Sequence, residues 1–184
     1  KKMMACPIMD INKGHKLMSD KKIIFLYSGE GTRSQDTGNT LQKRSPLWDQ
    51  IDTILQSRLD LSIDQIWNND GNIHKCPYSP LNTVISQICF SDIWHSWGFE
   101  FDIVVGHSTG EITAAYLAGL YSLEDSLMLA YHIGKVASQI EGAMFHGLFF
   151  ENEIATLPLN LSSINFKHED QLHITLSGKS DEID

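Results

Sequence analysis

Apolar and polar residues fall into blocks along this chain, and the blocks predict its elements. Lys22–Ser28 (Lys-Ile-Ile-Phe-Leu-Tyr-Ser) is a short apolar run closed by Gly29, the pattern of a buried strand. A polar, glycine-containing loop is expected from there to about Asn39. Residues 46–59 place Leu47, Ile51, Ile54 and Leu55 on one helical face. Ser79-Pro80 is a helix start, with Ser as N-cap and Pro at the first helical position. Leu81, Val84, Ile85, Ile88 and Cys89 follow at helical spacing, and Gly98 stops the run. Phe101–Val105 reads as a second buried strand. Beyond it, Ile112, Ala115 and Tyr116 fit a helix that Gly119 ends. Ser122-Leu123-Glu124-Asp125 resembles a capping box with Asp in place of Glu or Gln, and predicts a further helix to about Gln139.

The pattern changes after Gly142. Gly147–Phe150, Ser162–Phe166 and Leu172–Ser177 are strand-like, with a short helical candidate between the first two. Ser180-Asp181 reads as a new helix start. Residues 1–20 mix charged and apolar positions without a period and read as a tail or linker.

Composition narrows the classes. With 184 residues and 42% hydrophobic content, the chain can bury one substantial core. A net charge of −9 gives little electrostatic reason to bind nucleic acid or an anionic membrane. No apolar run is long enough to span a bilayer, and Lys1–Pro7 fails as a secretory signal. The three cysteines, Cys6, Cys76 and Cys89, lack CxxC spacing, so free thiols in a reducing cytoplasm are expected rather than a disulfide scaffold or zinc site. The first residue is Lys1 rather than Met, which reads as a piece of something longer.

The chemistry sits where the second strand meets its helix. Gly106-His107-Ser108-Thr109-Gly110 fits the nucleophile-elbow pattern G-x-S-x-G. A tight turn there lifts the Ser hydroxyl clear of the sheet, and the flanking glycines let neighbouring backbone pass close by. The Thr109 N–H then points toward an oxyanion, and the helix N-terminus adds a positive end. The bare pattern also fits an ordinary Gly-Ser turn feeding a helix; the strand before it and the amphipathic helix after it favour the elbow.

In this context Val104–Gly119 (Val-Val-Gly-His-Ser-Thr-Gly-Glu-Ile-Thr-Ala-Ala-Tyr-Leu-Ala-Gly) resembles the signature of malonyl-CoA:acyl carrier protein transacylases and polyketide synthase acyltransferase domains. Phe25–Gly31 resembles that family's first strand and its Gly-Gln-Gly loop, and Ser122–Ser126 the helix start after the elbow. Gly142-Ala143-Met144 and Ile174–Gly178 resemble the opening and a strand of its small ferredoxin-like subdomain.

The resemblance implies a ping-pong reaction. Ser108 would take an acyl group from an acyl-CoA and pass it to the phosphopantetheine thiol of an acyl carrier protein. The oxyanion hole would use the backbone N–H groups of Thr109 and Glu30. Glu30 stands where the family usually has Gln; a backbone donor survives that change, but a carboxylate facing inward would oppose the oxyanion. Gly29-Glu30-Gly31 is otherwise an ordinary turn, since it lacks the residues of a phosphate loop. The family's general base is a His well beyond the Ser, expected past the end of this chain. His146 mimics a family Phe-His pair but sits at the opening of the small subdomain. His107 is expected to flank the pocket. His15, His74, His95, His132, His168 and His173 read as surface or satisfied residues, in no metal-ligand pattern. Malonyl-using members carry an Arg in the helix after the elbow that forks onto the substrate carboxylate. Ungapped register puts Ile133 there, and a register slip would bring His132 or Lys135 instead.

The expected fold is α/β: an α/β-hydrolase-like core with a parallel sheet and nucleophile elbow, plus the start of a ferredoxin-like small subdomain. The expected division is a tail over 1–20, a large subdomain over 21–141 and a partial small one over 142–184. The expected function is cytoplasmic transfer of a non-carboxylated acyl group in polyketide or fatty acid biosynthesis, with no permanently bound cofactor or metal. Expected partners are acyl-CoA, an acyl carrier protein and neighbouring synthase domains. A hydrolase on the same fold would differ only in using water to resolve acyl-Ser108. A degenerate docking domain is the non-enzyme alternative.

Overall fold

The computed structural model describes residues 22–30, 37–67, 77–153 and 162–180. These fall into two compact units that divide between Ala137 and Ser138. In the first, β1 (Ile24–Tyr27) is followed by α1 (Thr37–Arg44), α2 (Trp48–Leu59), α3 (Ile63–Trp67) and α4 (Ser79–Ser96). Then come β2 (Ile103–Gly106), α5 (Gly110–Leu117) and α6 (Leu123–Ala137). The two strands pair in parallel, Ile24 opposite Ile103 through Tyr27 opposite Gly106. Asp102 fixes the start of that register: its carboxylate accepts from the Ile23 N–H at 2.9 Å and pairs with Lys22 at 3.0 Å.

The core lies around α4. Leu81, Val84, Ile85 and Ile88 are wholly buried, and Ile51, Leu55 and Leu127 pack in the same cluster. Each such side chain contributes about 1.5–3 kcal/mol through burial. Helix α4 is buried almost all round although it is rich in hydroxyls. Thr83, Ser86 and Ser91 satisfy theirs on the carbonyls of Ser79, Asn82 and Gln87, each one turn back. Among the described residues no helix is long and apolar enough to cross a membrane.

Several local expectations need correction. Helix α4 begins one residue early: the Tyr78 carbonyl already accepts from the Asn82 N–H at 2.9 Å, so Tyr78 is the N-cap, without a side-chain cap bond. Pro80 therefore stands second. The loop after β1 does not reach Asn39, because α1 starts at Thr37. Helices α1 and α3 were not expected from the pattern; α3 has five residues, too few to show a period. The strands are not buried on both faces. Ile24, Leu26, Ile103 and Val105 are exposed, Leu26 at 74%, because among the described residues only the opposite face of the two-stranded sheet is covered.

Two helix ends follow the expected chemistry. At Gly119 (φ 76°) the Leu120 N–H reaches Ala115 O and the Gly119 N–H reaches Tyr116 O, both at 2.9 Å. This is the glycine-terminated pattern that satisfies a helix's last carbonyls. Before α6, Ser122 Oγ accepts from the Asp125 N–H at 3.0 Å. The shorter Asp side chain takes the Ser122 hydroxyl at 2.6 Å, where a Glu would reach back to the Ser backbone.

The second unit is an antiparallel sheet of β3 (Ala143–Phe150), β4 (Ser162–His168) and β5 (Gln171–Gly178), in the order β3-β5-β4. Since β3 and β4 both run against β5, they are parallel to each other with β5 between them, a split crossover. Leu172, Ile174 and Leu176 bury one face of β5 against Phe149. All three expected strand segments lie within these strands, and β3 starts earlier than expected. The helical candidate between the first two falls on residues outside those described, as does Asp181 of the Ser180-Asp181 helix start, while Ser180 itself is helical.

Candidate active site

Ser108 sits between the last residue of β2 and the first of α5, with φ 55°. A non-glycine residue in this left-handed region costs about 1–2 kcal/mol, so the surroundings must enforce it. They do so through backbone contacts. The His107 N–H donates to Tyr27 O at 2.9 Å, extending the β1–β2 register by one bond. The Gly110, Glu111 and Ile112 N–H groups turn back onto His107, Ser108 and Thr109 carbonyls at 3.0, 3.0 and 3.2 Å. The Thr109 N–H is not used by that turn.

The two glycines are required by close approach. A Cβ on Gly106 would overlap the Glu111 backbone, and one on Gly110 would overlap Tyr27 O and stand 2.7 Å from Ser28 O. At Gly29 a Cβ would lie 3.1 Å from Ser108 Cβ and 3.5 Å from its Oγ. The loop leaving β1 thus lies directly against the serine.

This brings four of the expected site residues together. Thr109 is buried, and its Oγ1 donates to Glu30 Oε1 at 3.1 Å. Glu30's carboxylate is therefore engaged by a neutral hydroxyl. The exposed His107 has its Nδ1 3.6 Å from the Cβ position of Gly29. Within the first unit no described histidine hydrogen-bonds Ser108 Oγ. Ile133 lies on α6. Its neighbour Gly134 packs so tightly on Pro77 and Pro80 that a Cβ would overlap Pro77 O, which turns Ile133 outward at 43% exposure beside Leu129 and Val136. His146 lies on β3 in the second unit, with Nδ1 3.1 Å from Thr175 Oγ1 and its ring 5.8 Å from that of His173. His74 is outside the described residues.

Three neighbours were not singled out by sequence reasoning. Gln87 donates from Nε2 to Ser28 O at 2.6 Å and accepts from Thr113 Oγ1 at 2.7 Å. Thr113 is fully buried. The Tyr27 hydroxyl pairs with Ser91 Oγ at 2.6 Å; burial raises its pKa and that bond partly offsets the rise. The only sequence signal was a long amide inside the apolar run of α4. Behind it, burial pushes the free Cys89 thiol up to about 12, which makes it unreactive. Tyr116 is raised by burial and by nearby Asp92 and Cys89. Cys6 and Cys76 lie outside the described residues.

Known proteins resemble this chain in sequence and fold. The acyl transferase domain family matches residues 24–182. A polyketide synthase–nonribosomal peptide synthetase of Phaeosphaeria nodorum is 30% identical over 193 residues, covering 91% of this chain and 5% of its own length. A highly reducing polyketide synthase of Aspergillus sclerotiorum is 31% identical over 145 residues, covering 67% of this chain and again 5% of its own. Among solved structures, a malonyl CoA-acyl carrier protein transacylase from Burkholderia pseudomallei superposes with a TM-score of 0.72 at 20% identity. That match covers 89% of this chain and 58% of the other. The acyl transferase domain of ZmaA gives 0.71 at 24% identity, covering 88% and 41%. The chain thus spans about half the length of these solved relatives and a small part of the synthases.

Proposed function

Because the chain belongs to the acyl transferase domain family, we propose that Ser108 is the nucleophile of an acyltransferase that moves an acyl group from acyl-CoA to an acyl carrier protein. The observation that carries this reading is the Ser108 turn itself: a left-handed serine on a strand-to-helix junction, with the Gly29 loop against its hydroxyl. We read that junction as the nucleophile elbow of an α/β-hydrolase-like core, and the split sheet as the first three strands of a ferredoxin-like subdomain.

Ser108 Oγ attacks the thioester carbonyl, its proton leaves to a general base, and the carbonyl oxygen becomes an oxyanion. The backbone N–H groups of Thr109 and Glu30 hold that oxyanion, and losing such a donor costs about 10²–10³ in rate. Collapse expels coenzyme A as its thiol, which takes back a proton, and leaves acyl-Ser108. The phosphopantetheine thiol of the carrier then attacks the ester, and the serine hydroxyl is restored. The Thr109–Glu30 bond supports this reading, since it draws a carboxylate oxygen onto a hydroxyl. His107 flanks the pocket. Ile133, which stands where malonyl-using relatives are expected to carry an Arg, supports a non-carboxylated acyl group, because an apolar side chain cannot pair a malonyl carboxylate.

The test is transfer by the full-length protein from acetyl-CoA to a phosphopantetheinylated carrier protein. Ping-pong kinetics are expected, with transfer abolished by Ser108→Ala. Intersecting rather than parallel double-reciprocal lines would refute the covalent route. Water consuming the acyl group in place of the carrier would make the protein a hydrolase. Inactivity of the intact protein would favour a docking role.

A further inference from the structure

The acyl-Ser108 reading requires two oxyanion donors carried on different segments: Glu30 on the loop after β1 and Thr109 at the start of α5. The β1–β2 ladder ends one bond past the Tyr27–Gly106 pair, with the His107 N–H on Tyr27 O, so alignment of the peptide units beyond Tyr27 needs other contacts. The Ser28 carbonyl belongs to the peptide unit whose N–H is that of Gly29, one unit before the Glu30 N–H. The orientation of that unit fixes the direction in which the chain enters Gly29 and Glu30, and so bears on where the Glu30 N–H lies. Gln87 Nε2 donates to this carbonyl at 2.6 Å, the shorter of the two bonds the amide makes here. The same amide accepts from Thr113 Oγ1 at 2.7 Å, and Thr113 lies one helical turn after Thr109 on the buried side of α5.

We propose that Gln87 is a positioning residue for acyl transfer. Its one planar amide ties the segment bearing the first oxyanion donor to the helix bearing the second, and so sets their separation. The proposal rests on the reading of Ser108 as nucleophile. The requirement is chemical as well as steric. The Ser28 end needs a donor and the Thr113 end an acceptor, and an amide offers both without taking up a proton. A carboxylate would keep the Thr113 bond and set an acceptor against the Ser28 carbonyl. A protonated carboxyl group would restore the donor.

The test compares Gln87→Glu, Gln87→Met and Thr113→Val in the full-length protein, with Ser108→Ala as control. The rate and KM of acyl-Ser108 formation from acetyl-CoA are measured from pH 5 to pH 8, with thermal unfolding alongside. Gln87→Glu is expected to lower the rate about ten- to a hundred-fold at the upper end, with KM changed less than about threefold, as for misplaced catalytic groups. Its rate relative to the unmodified protein should rise as the pH falls and the carboxyl group takes a proton; a purely structural residue would show no such recovery. Gln87→Met should be impaired at every pH, and Thr113→Val more mildly. An unmodified rate in Gln87→Glu, or a pH-independent loss that tracks the unfolded fraction, overturns the proposal. If the Gln87 variants fail to fold, an unmodified rate in Thr113→Val overturns it. Acylation that persists in Ser108→Ala instead refutes the nucleophile assignment on which it rests.

Discussion

Around Ser108 the backbone leaves almost no freedom, whereas around Ile133 it fixes only which way the side chain faces. In the first region Gly29, Gly106 and Gly110 press three segments together, and the serine takes a conformation that only such crowding maintains. In the second, Gly134 anchors the inner side of α6 on Pro77 and Pro80, and Ile133 on the outer side remains exposed with Leu129 and Val136. Under the proposed function, the difference separates reactivity from selectivity. A nucleophile held by backbone contacts tolerates few changes around it. An exposed side chain can change while the fold is kept, and under the proposed function that change would alter the acyl group accepted.

The largest effect should come from breaking the crowded region. Gly110→Ala sets a methyl group into Tyr27 O and close to Ser28 O, and should destabilise the protein by about 3 kcal/mol or more. Gly134→Ala should cost a similar amount against Pro77. Ile133→Ala, one residue away, should cost under about 1 kcal/mol. Denaturant unfolding of the three variants measures the contrast, and equal losses at 133 and 134 would erase it.

Next in size is selectivity. Ile133→Arg should shift the ratio of malonyl- to acetyl-CoA loading toward malonyl by about 1.5–3 kcal/mol, roughly ten- to a hundred-fold, the worth of a charge-assisted pair. The readout is competitive acyl-enzyme formation. No shift would place position 133 away from the substrate.

Beneath the crowded region lies Cys89. Its thiol ordinarily titrates near 9.0 and is pushed up to about 12, so the folded chain keeps a proton that the unfolded chain loses. The stability this contributes is whole below pH 9 and is lost as the pH rises from there toward 12, by at most about 1.4 kcal/mol per pH unit. Denaturant midpoints measured across that range should fall less steeply in Cys89→Ala. The smallest effect is expected at the start of α6, where Ser122→Ala removes one cap bond and about 1 kcal/mol, read as a lower melting temperature.

What could be read from the sequence follows the same division. Helices α2, α4 and α6 carry several buried residues at helical spacing, and the turn around Ser108 announces itself because Gly106 and Gly110 flank it within five residues of chain. Helix α1 was invisible, since among its described side chains only Leu41 is buried and one residue makes no period. The exposure of Leu26 and Ile103 could not be foreseen, because a run of apolar residues looks the same whether one face or both are covered. Gln87 was out of reach for another reason. Its partners lie 59 and 26 positions away, and no local pattern links an amide in an apolar helix to a loop carbonyl that distant. Contact at Glu30 was foreseeable from family resemblance, but the pairing of its carboxylate with Thr109 required the structure.

The claim that Ser108 becomes acylated can be tested at the residue itself. The full-length protein is mixed with acetyl-CoA without a carrier, quenched in acid within seconds, digested, and analysed by mass spectrometry. The account predicts one acetyl group on the peptide containing Ser108, assigned to that side chain by fragmentation, and removed when a phosphopantetheinylated carrier protein is added before the quench. An acetyl group on another residue, or one on Ser108 that the carrier does not remove, would contradict it.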